Sequence, residues 1–276
     1  MSSLSEFNKM TSGLEKKDYV MPVFFIGHGS PINGIEDNEF SQEWAQMAKE
    51  IPVPAAVLVI SAHWLTEGTL VTAMESPRTI HDFVGFPEPL YQVQYKAPGY
   101  PKLAAETVSL IQSSNVALDH EWGLDHGAWS VVRHMYPNAN VPVLQLSIDY
   151  TREAQYHYDL AKELYTLRSK GVLIIGSGNM VHNLRMLAWD KMNVPGYGFD
   201  WALQINDQFK QLIRGGDSKA LISYETFKES RLAIPTPEHY LPLIYSLGLR
   251  TDKDPISIFN DKAVAGSITM TSVKFG

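Results

Sequence analysis

The sequence predicts a single α/β domain with a mostly parallel or mixed central sheet and helices on both faces. Three observations carry this. Short runs rich in Val, Ile and Leu recur without polar alternation, as strands buried on both faces do. Segments whose apolar residues share a helical face separate them. No repeat, low-complexity tract or linker divides residues 20–276, and a chain of 276 residues can bury a large core as one domain.

Each element follows in chain order. The first 19 residues, MSSLSEFNKMTSGLEKKDY, lack the continuous apolar stretch of a signal peptide and read as a polar arm. "PVFFI" (22–26) is a buried strand that stops at Gly27-His28-Gly29, where the backbone can turn sharply and leave an imidazole at the strand's end. A helix is expected near 37–50, with Phe40, Trp44 and Met47 on one face. "AAVLVIS" (55–61) and "TLVTAM" (69–74) are the next strands. The proline-rich stretch 76–100 reads as a long surface excursion, a feature often tied to function. "PKLAAETVSLIQ" (101–112) is a helix with proline in its first turn. "VALD" (116–119) is a short strand, and a helix is expected around 129–136. Strand 141–148 precedes a helix over 152–170, which Gly171 ends. "VLIIG" (172–176) is a strand, two or three helices occupy 198–247, and an alternating strand closes the chain over 267–275.

Composition narrows the functional classes. The formal charge is −7 and no Lys/Arg cluster stands out, which argues against a nucleic-acid or acidic-membrane surface. No apolar run approaches the roughly 20 residues of a membrane span. There is no cysteine, so disulfides and thiolate metal sites are excluded, and a reducing compartment fits. A soluble, cytoplasmic protein is the expectation. Histidine and carboxylate remain for metal chemistry, and the chain has 9 histidines.

Their placement is the main signal. "VFFIGH" ends at His28, "VLVISAH" at His63, and "VLIIGSGNMVH" leaves its strand to reach His182. Ligands of open parallel sheets bind beyond the carboxyl ends of the strands, so these imidazoles are expected to converge there. A lone histidine at a strand end is ordinarily a hydrogen-bonded loop residue; three at equivalent places make coincidence a poor account. Three imidazoles suit Zn²⁺ or Fe²⁺.

Two more histidines are candidates for the site: His126 in "GLDHGAW", where a loop can present it, and His239 in "PTPEHYLP", beside Glu238 at the start of an apolar helical stretch. His81, in "TIHDFVGFP" with Asp82, Phe83 and Phe86, either lines a pocket for a planar aromatic substrate or belongs to a packed lid. His134 and His157 lie within helical patterns and read as surface or packing residues. "GSGN" has neither the glycine spacing of a dinucleotide loop nor the lysine of a phosphate loop, and no G-x-S-x-G elbow is present.

Taken in order, "GHGSP", "SAHW", "TIHDFVGFP", "DHGAW", "GSGNMVHN" and "PTPEHYLP" resemble the motif set of class III extradiol ring-cleavage dioxygenases, in the branch similar to 4,5-DOPA extradiol dioxygenases. The resemblance runs from about residue 21 to the C-terminus and implies a catalytic domain over 20–276. It implies a non-haem metal centre that opens a catechol ring with O₂, so the partners are a small catechol, DOPA or a related one, and dioxygen. By that resemblance His28 and His63 match metal ligands and His239 the third-ligand region. His182 matches a histidine at the metal, as ligand or adjacent base, and His126 matches the acid/base. His81, Asp82 and Phe83 are then candidates for substrate contact. Relatives that cleave protocatechuate carry glutamate as third ligand, where this chain has His239 next to Glu238. Fe²⁺ is expected for activity, and Zn²⁺ as a bound form without redox chemistry. A zinc-dependent hydrolase on the same site and a non-catalytic metal-binding module are the alternatives.

Overall fold

In a computed structural model, residues 13–192 and 194–276 are described. Most of the expected N-terminal arm therefore lies outside the described residues. Eight strands form the central sheet: β1 (Val23–Gly27), β2 (Ala56–Thr66), β3 (Thr69–Thr72), β4 (Val116–Asp119), β5 (Val143–Asp149), β6 (Val172–Gly178), β7 (Ile256–Phe259) and β10 (Ser272–Phe275). A separate two-stranded ribbon joins β8 (Ala263–Val264) to β9 (Ile268–Thr269). The order across the sheet is β4-β3-β5-β2-β6-β1-β10-β7. The centre, β5-β2-β6-β1, is parallel, whereas β3 and β10 run antiparallel to their inner neighbours β5 and β1. The sheet is therefore mixed, with a parallel heart.

Side chains leave a strand alternately to its two faces, and here both faces are covered. Val23, Phe25, Leu58, Ile60 and Ile174 point into one core, filled by Leu160 of α5 (Ala154–Glu163), Phe209 of α7 (Asp200–Gly215) and Leu243 of α10 (Leu241–Leu249). Phe24, Ile26, Val57, Val59, Leu173 and Ile175 point into the other, with Trp44 of α1 (Glu39–Lys49) and Trp129 of α4 (His126–Met135). That two-sided burial is why these strands read as unbroken apolar runs. Every residue of α10 is buried, as an all-apolar helix requires.

Several boundaries differ from expectation, each for a local reason. Asp125 caps α4 by accepting from the Ala128 N–H, so the helix begins at His126 and not near residue 129. β2 continues past His63 to Thr66, with a register shift against β5 between Ile60 and Leu65, so His63 lies in an irregular part of the strand rather than at its end. The 152–170 helix is two, α5 and α6 (Tyr165–Ser169), separated at Leu164. Between 198 and 247 the chain forms α7, α8 (Ser218–Ile222), α9 (Ser230–Ala233) and α10, more than the two or three helices expected. The C-terminal segment is split between β9 and β10: Met270 N–H donates to the Lys262 carbonyl and the Thr271 hydroxyl to Asp261, so residues 267–275 cannot form one ladder.

One buried ion pair ties the termini of this core together. The Arg168 guanidinium, fully buried, reaches Asp254 at 2.8 and 3.1 Å and donates at 2.7 Å to the carbonyls of Met21 and Leu249. Removing it strands a carboxylate and two carbonyls, so Arg168→Ala is expected to lower the unfolding free energy by about 3–5 kcal/mol. Denaturant titration measures this directly; a loss under about 1 kcal/mol would show that water replaces the arginine at little cost.

Candidate metal centre

The carboxyl ends of β1 and β6 and the irregular stretch of β2 supply the floor of the site. β1 hands the chain to His28, whose N–H donates to the Gly178 carbonyl of β6. β2 carries His63 in its irregular stretch. His239 joins them from the loop before α10, which lies against the end of β6. A Cβ on Gly178 would come within 2.1 Å of the His239 carbonyl oxygen, so only glycine permits that approach. The carbonyl accepts from the Asn179 N–H at 2.8 Å, which fixes the loop there.

His28, His63 and His239 form one group, each offering a ligand atom within 4.8 Å of the others. His63, Asp82 and His126 form a second by the same measure. The hydrogen bonding separates the two. Ser177 Oγ donates to the Gly127 carbonyl at 2.6 Å, so at 3.0 Å from His28 Nδ1 it must accept, which puts the His28 proton on Nδ1. Asp82 Oδ2 lies 3.4 Å from His63 Nδ1 and favours the proton there. The two Nε2 atoms, 3.1 Å apart, then face each other with bare lone pairs. That contact is repulsive without a cation to share. Glu238 Oε1, 3.4 Å from His239 Nδ1, supplies the same kind of support to the third imidazole. A divalent ion fits these donors. The second group, in contrast, satisfies itself: His126 Nδ1 pairs with Asp82 Oδ2 at 2.9 Å and the His126 N–H donates to Asp82 Oδ1 at 2.9 Å.

Electrostatics keep the imidazoles in their ligating form. Burial first, and then the neighbouring histidines, hold His28, His63 and His239 below the usual imidazole range, so they are neutral near pH 7. Burial would raise the Asp82 carboxyl, but the hydrogen bonds from His126 and the two imidazoles beside it outweigh it and leave Asp82 below its ordinary value. His182 stacks on His239 with ring centroids 3.6 Å apart, one ring further out, and burial lowers it to about 4.

His126 is held from behind by residues that sequence reasoning did not single out. Asp125 is fully buried and accepts from Ser61 Oγ (2.6 Å), Gln145 Nε2 (2.7 Å) and the Ala128 N–H (3.1 Å). Burial and the nearby Asp82 raise its carboxyl, against the pull of Gln145 and Ser61. A Cβ on Gly127 would lie 2.5 Å from Ser61 Oγ and 2.9 Å from His63 Cδ2, so the first turn of α4 can close on β2 only with glycine there. The Asp125 cap was legible as an N-cap residue ahead of a helix. Ser61 and Ser177 carried no signal beyond their positions on strands that end in histidine.

The excursion 76–100 delivers Asp82 and packs over α4. Its edges are tied by Trp129 Nε1–H to the Ile80 carbonyl (2.8 Å) and the Tyr95 hydroxyl to the Tyr136 carbonyl (2.9 Å). Phe83 stands edge-on to His126, centroids 5.6 Å apart, and also contacts Phe86 and Tyr91. His81 Nε2 lies 3.0 Å from the Val93 carbonyl and its ring sits among Phe83, Tyr91 and Trp129. His81 thus closes the loop on itself, while Asp82 and Phe83 reach the imidazoles. His157 is buried against the Tyr245 hydroxyl (2.9 Å), and His134, half-buried, lies against the Asn33 carbonyl (2.8 Å); neither belongs to the two groups. No helix among the described residues is long and apolar enough to cross a membrane.

The chain has known relatives. The chain is 45% identical over 260 residues to a protein of Escherichia coli K12 named 4,5-DOPA dioxygenase extradiol, covering 93% of this chain and 95% of that one. It is 35% identical to a protein of the same name from Beta vulgaris, covering 94% and 98%. The crystal structure of an uncharacterized Escherichia coli K12 protein, 39% identical, superposes with a TM-score of 0.78 over 93% of this chain and all of that one. Residues 22–275 match the family model described as the catalytic LigB subunit of aromatic ring-opening dioxygenase, a non-haem metal-dependent group, and to that family this chain belongs.

Proposed function

We propose that this protein is an iron-dependent extradiol dioxygenase that opens the ring of DOPA or a related catechol. The observation that carries the reading is the pair of bare imidazole nitrogens, His28 Nε2 and His63 Nε2, 3.1 Å apart beside the His126–Asp82 pair. His28, His63 and His239 would hold the metal through three neutral donors, leaving coordination positions open. Bound Fe²⁺ supplies a redox-active Lewis acid for catechol and O₂, which Zn²⁺ cannot replace.

The chain's own residues do the rest. Ser177, Asp82 and Glu238 hold the Nδ1 edges of the three ligands and so fix their rings. His126 keeps its Nδ1 on Asp82, which leaves Nε2 to take a proton from a catechol hydroxyl and to return one to the opening ring. His182, kept neutral by burial, would stand behind His239 as a packing partner and second base. Phe83, with Asp82, would border the substrate ring. The names of the relatives support a catechol of the DOPA type.

Anaerobic loading with Fe²⁺, followed by O₂ uptake with L-DOPA, tests this. One O₂ consumed per catechol and a yellow ring-opened product are expected, and none with Zn²⁺. Equal turnover of the zinc-loaded protein, or none with iron, would overturn the proposal.

A further inference from the structure

Two serines stand side by side on the parallel strands β2 and β6, where Ser61 and Ser177 are register partners. Both are fully buried. Each hydroxyl spends its one proton on the first turn of α4: Ser61 Oγ on the Asp125 carboxylate at 2.6 Å, and Ser177 Oγ on the Gly127 carbonyl at 2.6 Å. Each then accepts from a histidine of the metal group, Ser61 from the His63 backbone N–H at 3.2 Å and Ser177 from His28 Nδ1 at 3.0 Å. The residue between Asp125 and Gly127 is His126. Two parallel chains of hydrogen bonds therefore run from His63 and His28, through one hydroxyl apiece, to the residues on either side of His126.

The sheet does not need these hydroxyls, because backbone groups make the β2–β6 ladder. The link they form has little slack. A Cβ on Gly127 would lie 2.5 Å from Ser61 Oγ, so the turn is already seated on the strand. The His126 ring centre is 3.9 Å from that of His63 and 5.5 Å from that of His28, so a small shift of the turn changes what the His126 imidazole can reach. Asp82 joins His63 to His126 from the 76–100 loop; the serines join them from the sheet, through other atoms. We infer that Ser61 and Ser177 are positioning residues that lock the first turn of α4, and His126 with it, to His63 and His28, so that the metal ligands and the proton carrier move as one unit. The inference rests on the proposed metal centre and on His126 as its proton carrier.

Hydrogen exchange with Zn²⁺ reads this coupling without turnover. In the full chain, saturating Zn²⁺ is expected to slow exchange of the Ala128 and Trp129 amides, both bonded to the Asp125 carbonyl, by about 10-fold more than exchange in α5, a typical coupling between two sites. The double variant Ser61→Ala, Ser177→Ala, saturated with Zn²⁺, should keep less than about 3-fold of that excess. No excess in the wild-type protein overturns the inference even if the variant does not fold. A saturated variant that keeps the excess overturns it too, as does one that Zn²⁺ cannot saturate, since the serines would then hold the ligands and link nothing. The iron-loaded enzyme gives a second readout. Ser177→Ala should lower kcat by about 10- to 100-fold with KM little changed, the order of loss from a misplacement of about 1 Å. In a His126→Ala background the same replacement should cost less than about 3-fold, because both changes act through one imidazole. Equal losses in the two backgrounds would overturn the inference. A wild-type protein that opens no catechol overturns the dioxygenase reading, and the exchange result then decides the coupling by itself.

Discussion

Replacing His63 by alanine is expected to abolish metal binding and ring opening together. His63 brings one of the two facing Nε2 atoms, and without it only His28 and His239 remain of the three-histidine group. The loss should exceed the 10- to 100-fold that removal of a supporting residue alone costs in metal affinity. The fold should survive, because the side chain is 20% exposed and is not part of either apolar core. Metal content after dialysis, O₂ uptake and circular dichroism measured on one preparation decide it. A His63→Ala protein that retains a full equivalent of iron and opens catechols would remove the three-histidine centre from consideration. His28→Ala should behave alike for metal, with a larger cost to stability, since His28 is buried between β1 and β6.

His126→Ala is expected to do something different: to keep the metal and slow ring opening by about 10²- to 10⁴-fold, the usual cost of a lost general acid/base. The reason lies in which bonds survive. The backbone N–H of residue 126 still donates to Asp82 Oδ1, so the 76–100 loop stays anchored and Asp82 stays on His63. The helix keeps its Asp125 cap. Only the imidazole that rests on Asp82 disappears. The fall should therefore appear in kcat, with iron content equal to wild type, measured by single-turnover mixing of the iron-loaded protein and catechol with O₂. Turnover at the wild-type rate would take His126 out of the reaction.

These two outcomes differ because Asp82 stands between the two functions. Its Oδ2 faces His63 Nδ1 at 3.4 Å and His126 Nδ1 at 2.9 Å, so one carboxylate orients both the proposed metal ligand and the proposed proton carrier. Both oxygens of the Asp82 carboxylate engage His126, and Oδ2 also faces His63. A loop supplies it, and loops that reach across a rigid sheet are where such partners are ordinarily found.

The inner strands were legible because burial on both sides leaves an unbroken apolar run: β1, β2, β5 and β6 all announce themselves this way. β7 did not, since Ile256–Phe259 is an edge strand with only Phe259 buried, within a polar stretch. The extension of β2 past His63 was equally hidden, because a register shift is set by the neighbouring strand and leaves no mark in a single sequence.

By itself the sequence determined the class of fold, the restriction of metal chemistry to histidine and carboxylate, and the strand ends at which ligands would gather. Composition and strand pattern are local properties, and they can be read locally. The tertiary structure alone brought His239 into one group with His28 and His63, with the His182 ring stacked on it. It alone decided which nitrogen of each ring carries its proton, through Ser177, Asp82 and Glu238. Both depend on where side chains from distant segments point, and a spacing of tens to hundreds of residues carries no record of that direction.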